Sequence, residues 1–317
     1  MINLPKWHKK GLIYCPSGDG FFKTHATRPV PYQLNDEVLR IFFCSRDDDD
    51  RMLPTFIDVE AENPSNVIHV EQNPVMSLGG PGRFDDSGIV FCSILKHGDN
   101  IHLYYSGWKR RRVVSFEVSI GLAVWNVEQN RYERAFDGPL VGQSRDNPLL
   151  ACCPYVVHDG NKFRMWYCLG TDWKFIQDRP EPIYTVYYAE SKDGLDWKLD
   201  QKPVIQYKYD GEVLSVPWVT KTHQGFIMWY STRGSNSVDE KRYMAGVATS
   251  HDGITWERRD SEVGIEKSTT GWDSEMICYP AIFNCGDRTY MFYSGNGVGR
   301  GGIGYAVADR KLDIIDF

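Results

Sequence analysis

The sequence predicts an all-β protein: a five-bladed β-propeller, with four-stranded antiparallel blades around a central channel, as a single domain over residues 1–317. Three observations predict it. The chain repeats itself about every 63 residues, it is rich in aromatic residues and glycine, and no stretch combines helical periodicity with helix caps. Four segments carry the repeat most clearly: CSILKHGDNIHLYYSG from Cys92, CPYVVHDGNKFRMWYCLG from Cys153, PWVTKTHQGFIMWYST from Pro217 and PAIFNCGDRTYMFYSG from Pro280. Their closing aromatics, Tyr105, Tyr167, Tyr230 and Tyr293, lie 62, 63 and 63 residues apart, and one step back from Tyr105 falls on Phe43 in LRIFFCSR. Five copies therefore account for the chain. A constant step of this size speaks against a β-sandwich and for radial stacking of identical units.

Each copy reads as an apolar strand, a polar turn, a second strand ending in aromatics and a small residue, and a third strand of small residues. The third strands are GLAVW from Gly121, VYYAES from Val186, AGVATS from Ala245 and GIGYAVA from Gly302. Two of them run into Asp193-Gly194…Trp197 and Asp252-Gly253…Trp256, turns that lead to a fourth strand. The blades span roughly 20–80, 81–142, 143–205, 206–268 and 269–317, and residues 1–19 are expected to complete the last one.

Composition narrows the function. Lys and Arg number 36 against 42 Asp and Glu, a formal charge of −6, which excludes an obvious nucleic-acid binder. No apolar run is long enough for a membrane-spanning helix. The first twenty residues lack the apolar block and small-residue cleavage site of a secretory signal, so a cytoplasmic address is expected. The eight cysteines are scattered without a C-x-x-C pair and there is no zinc-like histidine spacing. They read as buried thiols in a reducing compartment, and neither a metal nor a cofactor is expected. Asp47 to Asp50 are adjacent and lack the alternation of a calcium loop.

Antiparallel geometry fixes where chemistry would gather. The segment leading into each innermost strand and the turn leaving each second strand lie on one face, at one mouth of the channel. The lead-in segments align without gaps as Phe84-Asp85-Asp86-Ser87, Asp146-Asn147-Pro148-Leu149, Tyr209-Asp210-Gly211-Glu212 and Trp272-Asp273-Ser274-Glu275. The first blade supplies Lys23, His25 and Arg28 instead. Asp85, Asp210 and Asp273 share one repeat position, which fits a turn cap as well as chemistry. Asp86 departs from the repeat, and Glu212 and Glu275 adjoin the apolar runs VLSVPWV and MICYPAI. Partial burial beside other carboxylates is the setting in which a general acid stays protonated near neutrality. The variable turns after the second strands hold Arg46, Trp108, Trp173 and Arg233, residue types that suit sugar rings: C–H faces stack on aromatics and hydroxyls take paired hydrogen bonds. Lys109 to Arg112 fit a solvated turn, or a site for a ligand's carboxylate or phosphate.

Through FDDSGI, DGLDW, HDGITW and the Pro…Tyr-Ser-Gly elements, the sequence resembles the five-bladed propeller superfamily of furanosidases and related glycosidases, which includes glycoside hydrolase families 32, 43, 68 and 130. The resemblance covers all five repeats and implies a pocket where two or three carboxylates flank a glycosidic bond. This chain departs from families 32 and 43 because its first lead-in, KTHATRP, holds no acid, and its third, DNPLLACCP, lacks the expected Glu. The resulting expectation is Glu212 as general acid, Asp86 or Glu275 as base or nucleophile, and Asp85 and Asp273 as supporting groups. Lys23, His25, Arg28 and Arg46 would form a cationic side for an acidic or phosphorylated carbohydrate. A glycoside hydrolase or transglycosidase is the first expectation. A phosphorylase, using phosphate held by those bases, is the second. A sugar-binding or scaffold propeller without catalysis is the third.

Overall fold

The computed structural model describes residues 2–176, 178–237, 241–315 and 317. The chain is nearly all β and divides into two compact units, one of residues 1–75, 218–231 and 243–316, the other of 76–217, 232–242 and 317. Among the described residues no helix is long and apolar enough to cross a membrane.

The first unit opens with β1 (Trp7–Tyr14), followed by β2 (Thr24–Gln33), β3 (Val38–Arg46), β4 (Met52–Glu60) and β5 (Val67–Val70). The second unit holds β6 (Gly88–His97), β7 (Asn100–Arg110), β8 (Phe116–Asn126), β9 (Arg131–Arg134), β10 (Ala151–His158), β11 (Phe163–Ile176), β12 (Arg179–Ser191) and β13 (Lys198–Leu199). Next come β14 (Val213–Thr222) and β15 (Gly225–Arg233), which contribute residues to both units. The first unit then resumes with β16 (Met244–Ser250), β17 (Glu257–Arg258), β18 (Cys278–Cys285), β19 (Arg288–Ser294), β20 (Ile303–Ala308) and β21 (Ile314–Ile315). Within the first unit the strands pair antiparallel as β2-β3-β4-β5 and β1-β20-β19-β18. Within the second they pair as β6-β7-β8-β9 and β10-β11-β12-β13. A further sheet has the order β17-β16-β15-β14-β21. The strand from the start of the chain is therefore the outer strand of the last sheet. Middle strands such as β7 and β19 are buried over long continuous runs, the mark of strands covered on both faces; simple alternation would mark one wet face.

One device recurs at the innermost strands. Arg28, Cys153, Val216 and Tyr279 each precede a proline and hold a left-handed backbone, with φ of 57°, 54°, 51° and 58°. The ladders of β2, β10 and β18 shift register at this point, the mark of a bulge. In three cases a serine that follows the closing tyrosine of the preceding sheet accepts the bulged N–H: Ser294 from Arg28 at 3.0 Å, Ser106 from Cys153 at 2.8 Å and Ser231 from Tyr279 at 2.7 Å. In the fourth, Cys168 stands where the serine does, and its Sγ lies 3.7 Å from the Leu214 carbonyl on the bulged strand. A non-glycine residue in this region costs about 1–3 kcal/mol, which persists only where the surroundings over-determine it. The serine hydroxyl is part of that determination.

The two Asp-Gly turns are held mainly by bonds of their own residues, with the Tyr104 hydroxyl donating to the Gly194 carbonyl at 3.1 Å in the first. Asp193 Oδ1 accepts the N–H groups of Leu195 and Asp196 at 2.8 and 2.9 Å, and Asp252 Oδ1 those of Ile254 and Thr255, both at 2.8 Å. Gly194 and Gly253 sit at φ of 75° and 78°, a conformation that other residues adopt only at a cost. Burial works against the Asp252 charge, but these N–H donors and the Ser250 hydroxyl outweigh it and lower its carboxyl to about 2.

Candidate active site

The repeated aromatic-Asp pair has a local explanation in two blades. Phe84 stacks on Tyr105 with centroids 5.8 Å apart, and Trp272 stacks on Tyr293 at 5.0 Å. The adjacent aspartate accepts the phenol proton, Asp85 from Tyr105 at 2.9 Å and Asp273 from Tyr293 at 3.0 Å. Burial raises both phenols, which keeps them protonated and donating. Each aspartate also meets a cation of its own unit: Asp85 pairs with Arg134 Nε at 2.6 Å, and Asp273 with Lys9 Nζ at 2.9 Å. Gly107 and Gly295, two residues past these tyrosines, leave room for the stacked ring; a Cβ there would fall 2.5 Å from Phe84 and 2.4 Å from Trp272. The third member of the set differs. Asp210 is exposed and pairs with Lys174, while Tyr230 donates instead to Asp260 at 2.5 Å.

In the first unit the basic residues gather around the start of β2. His25 is buried, at φ 66°, with Nδ1 at 2.8 Å from Thr24 Oγ1. Burial, then the charges of Arg46 and Arg300, lower its imidazole to about 4, against the smaller opposing effects of Asp50 and the Gly297 carbonyl. The Arg28 guanidinium lies over the Tyr279 ring, 4.8 Å from its centroid, and Arg46 pairs with Asp50 at 2.7 Å. Lys23 lies 3.7 Å from the exposed Asp48. Two contributors here are absent from the sequence-based set. Arg300 comes from the β19–β20 loop, whose run GNGVGRGG was the available signal. Asn296 of the same loop accepts the N–H groups of Glu275 and Met276 at 2.7 and 3.1 Å and donates to the Gly271 carbonyl at 2.9 Å, so it clamps the segment bearing Glu275. The Glu275 side chain itself is exposed.

Neutral His25 makes a pH signature. The unfolded imidazole titrates near 6.5 and the folded one near 4, so the stability it contributes is complete above about pH 6.5. That stability is lost as pH falls from there towards 4, because the unfolded chain takes up the proton first. Replacing the ring by His25→Asn is expected to flatten the urea-midpoint profile between pH 7 and pH 4.5 by the equivalent of about 2 kcal/mol. Parallel wild-type and variant profiles would show that the ring is not held neutral.

In the second unit Glu212 is only 2% exposed; its Oε2 accepts the Lys208 N–H at 2.6 Å and its Oε1 the Thr232 hydroxyl at 3.0 Å. Asp86 is half-buried and accepts from the Gly82 N–H at 3.0 Å and the Ser87 hydroxyl at 2.6 Å. Arg233 is buried and donates to the Gly234 carbonyl and Ser235 Oγ, with Glu181 3.7 Å away. Trp108 packs on Phe116 with centroids 4.3 Å apart, and Phe116 in turn lies 5.9 Å from Trp173. Among the described residues one group has the spacing of a metal site: Cys152, Cys153 and Cys168, with sulfurs within 4.8 Å of one another. The bulge turns two consecutive strand residues to one side. Hydrogen bonds with Cys153 and Cys168, followed by burial, raise the Cys152 thiol, and burial raises that of Cys168. Their neighbours, Val118, Leu150, Trp108, Phe116 and Trp173, are apolar. Three thiolates there would carry uncompensated charge, so the group fits packed, protonated thiols better than ion ligands.

No family model matches the chain. The uncharacterized protein Rv1502 of Mycobacterium tuberculosis strain H37Rv is 33% identical over 306 residues, covering 96% of this chain and 99% of Rv1502. The chain belongs to the Rv1502 family. The uncharacterized protein MT1551 of strain CDC 1551 matches to the same extent. Among solved structures, one described as a glycoside hydrolase aligns with a TM-score of 0.76 at 18% identity, over 96% of this chain and 92% of that one. A thermostable family-43 glycoside hydrolase aligns at 0.63 and 14%, over 95% of both chains. A third aligns at 0.68 and 14%, over 99% of this chain and 97% of that one; its description concerns glycoside hydrolases, within the family-130 mannoside phosphorylases, that target β-1,2 mannosidic linkages in Candida mannan. At these identities the likeness is one of fold alone, a β-propeller.

Proposed function

We propose that this member of the Rv1502 family is a five-bladed propeller that cleaves or transfers glycosidic bonds by carboxylate general acid–base chemistry. The blade count rests on the repeat and on the serine-to-bulge bonds that link successive sheets. One observation carries the catalytic reading. Glu212 and Glu275 occupy the same repeat position, yet Glu212 is buried and held by two donors, whereas Glu275 is exposed. Carboxyls set in contrasting environments are what an acid–base pair requires. The buried Glu212 takes the part of the acid that protonates the leaving oxygen. Glu275 or Asp86 acts on water or on the anomeric carbon. Asp85 and Asp273 support the frame by fixing the tyrosines beneath their blades. Lys23, His25, Arg28 and Arg46 bind the substrate on the basic side, with Arg300 beside His25. The test is turnover of a panel of aryl glycosides by wild type and Glu212→Gln.

The basic cluster favours a second reading, a phosphorylase. A neutral imidazole flanked by Arg46 and Arg300 can donate or accept a hydrogen bond without adding charge, a setting suited to an oxyanion such as phosphate. Release of a sugar phosphate that depends on added inorganic phosphate would establish this reading over hydrolysis.

A further inference from the structure

We propose that a cleft of the second unit, beside the β7–β8 hairpin, binds a carboxylated sugar ring of the substrate; this rests on the glycosidase reading. The cleft encloses about 330 Å³, and its walls include Arg111, Arg112, Val113, Phe116, Leu149 and Trp173. Phe116 is fixed from behind by Trp108, and both rings, like Trp173, pack on the buried cluster of Val118, Leu150 and the three thiols. Val113, at the hairpin tip, is 86% exposed. Together with the half-buried rings of Phe116 and Trp173 it forms an apolar surface of the kind that a sugar's C–H face covers. The two arginines differ. Arg111 Nε is bound to Glu117 Oε2 at 2.7 Å, while Arg112 has no ion-pair partner among the described residues. The cleft thus offers one uncompensated guanidinium next to apolar ring faces, which matches a pyranose with a ring carboxylate. A neutral sugar would leave Arg112 unused. A peptide helix, about 10 Å across with its side chains, is too bulky for this volume.

The experiment measures binding by tryptophan fluorescence and calorimetry at low and moderate salt. The probes are trigalacturonate, triglucuronate and trimannuronate, each compared with its methyl ester. At least one acid is expected to bind about tenfold more tightly than its ester and to weaken with salt. Arg112→Gln should remove that preference, and Trp173→Ala should weaken both forms. Circular dichroism must show both variants folded; Arg112→Lys, which keeps the charge, should retain part of the preference. If no acid outbinds its ester, or if Arg112→Gln leaves the preference intact, the assignment is overturned. These measurements do not depend on turnover. Loss of activity in Glu212→Gln without any acid preference would spare the catalytic reading and remove this one, and the converse pattern would do the opposite.

Discussion

Glu212→Gln is expected to lower turnover of activated aryl glycosides by a factor of about 10²–10⁴, the range that a positioned proton donor supplies. The carboxamide keeps the size of the side chain and can still accept one hydrogen bond. Its NH2, however, faces either the Lys208 N–H or the Thr232 hydroxyl, both of which donate to the wild-type carboxyl. The cost of that mismatch is about 1–2 kcal/mol, small enough for a folded protein. A variant with near-normal kcat would remove Glu212 from the chemistry. A variant that unfolds would leave the question to Thr232→Val, which removes one donor and leaves the carboxyl in place; it should shift the pH profile of kcat/KM if Glu212 handles a proton.

The largest effect on stability is expected at Asp85. Its carboxyl is fully buried, accepts the Tyr105 phenol and pairs with Arg134, whose side chain is 15% exposed. Asp85→Ala leaves a buried guanidinium and a buried phenol without their shared acceptor, a loss of about 3–5 kcal/mol. Asp273→Ala should cost less, because its cation Lys9 is 26% exposed and water can replace the lost partner. Urea midpoints of the two variants measure the difference. Equal costs would mean that burial of the cation does not set the energy, and a negligible effect of Asp85→Ala would contradict the proposed support of the frame.

The all-β class was legible because the repeat imposes the same apolar strands and turns again and again, and a signal present several times survives local noise. The Asp-Gly turns were legible for the same reason, since most of their bonds lie within five residues. The candidate site was legible only in part. Asp85 and Asp210 each precede a tyrosine by 20 residues, yet only the first binds it, because Tyr230 finds Asp260, itself held by Arg258 at 2.8 Å. Sequence spacing cannot reveal a competing acceptor brought in by a later turn. Glu212 and Glu275 were equally indistinguishable, as their difference in burial comes from the loops packed around them. Arg300 and Asn296 escaped notice inside a glycine-rich run, where backbone conformation dominates the pattern and side chains are easily passed over.

The pairing of β1 with β20 makes Trp7–Tyr14 a cover on an otherwise open sheet edge. Clipping the first fourteen residues would uncover a row of unsatisfied amide and carbonyl groups along Ile303–Ala308, and with it a template for a neighbouring molecule to join. Trp7, wedged edge-on against Trp229, would be lost in the same cut. Self-association after limited proteolysis is thus a hazard written into a sheet whose outermost strand comes from a part of the chain remote in sequence from the other three.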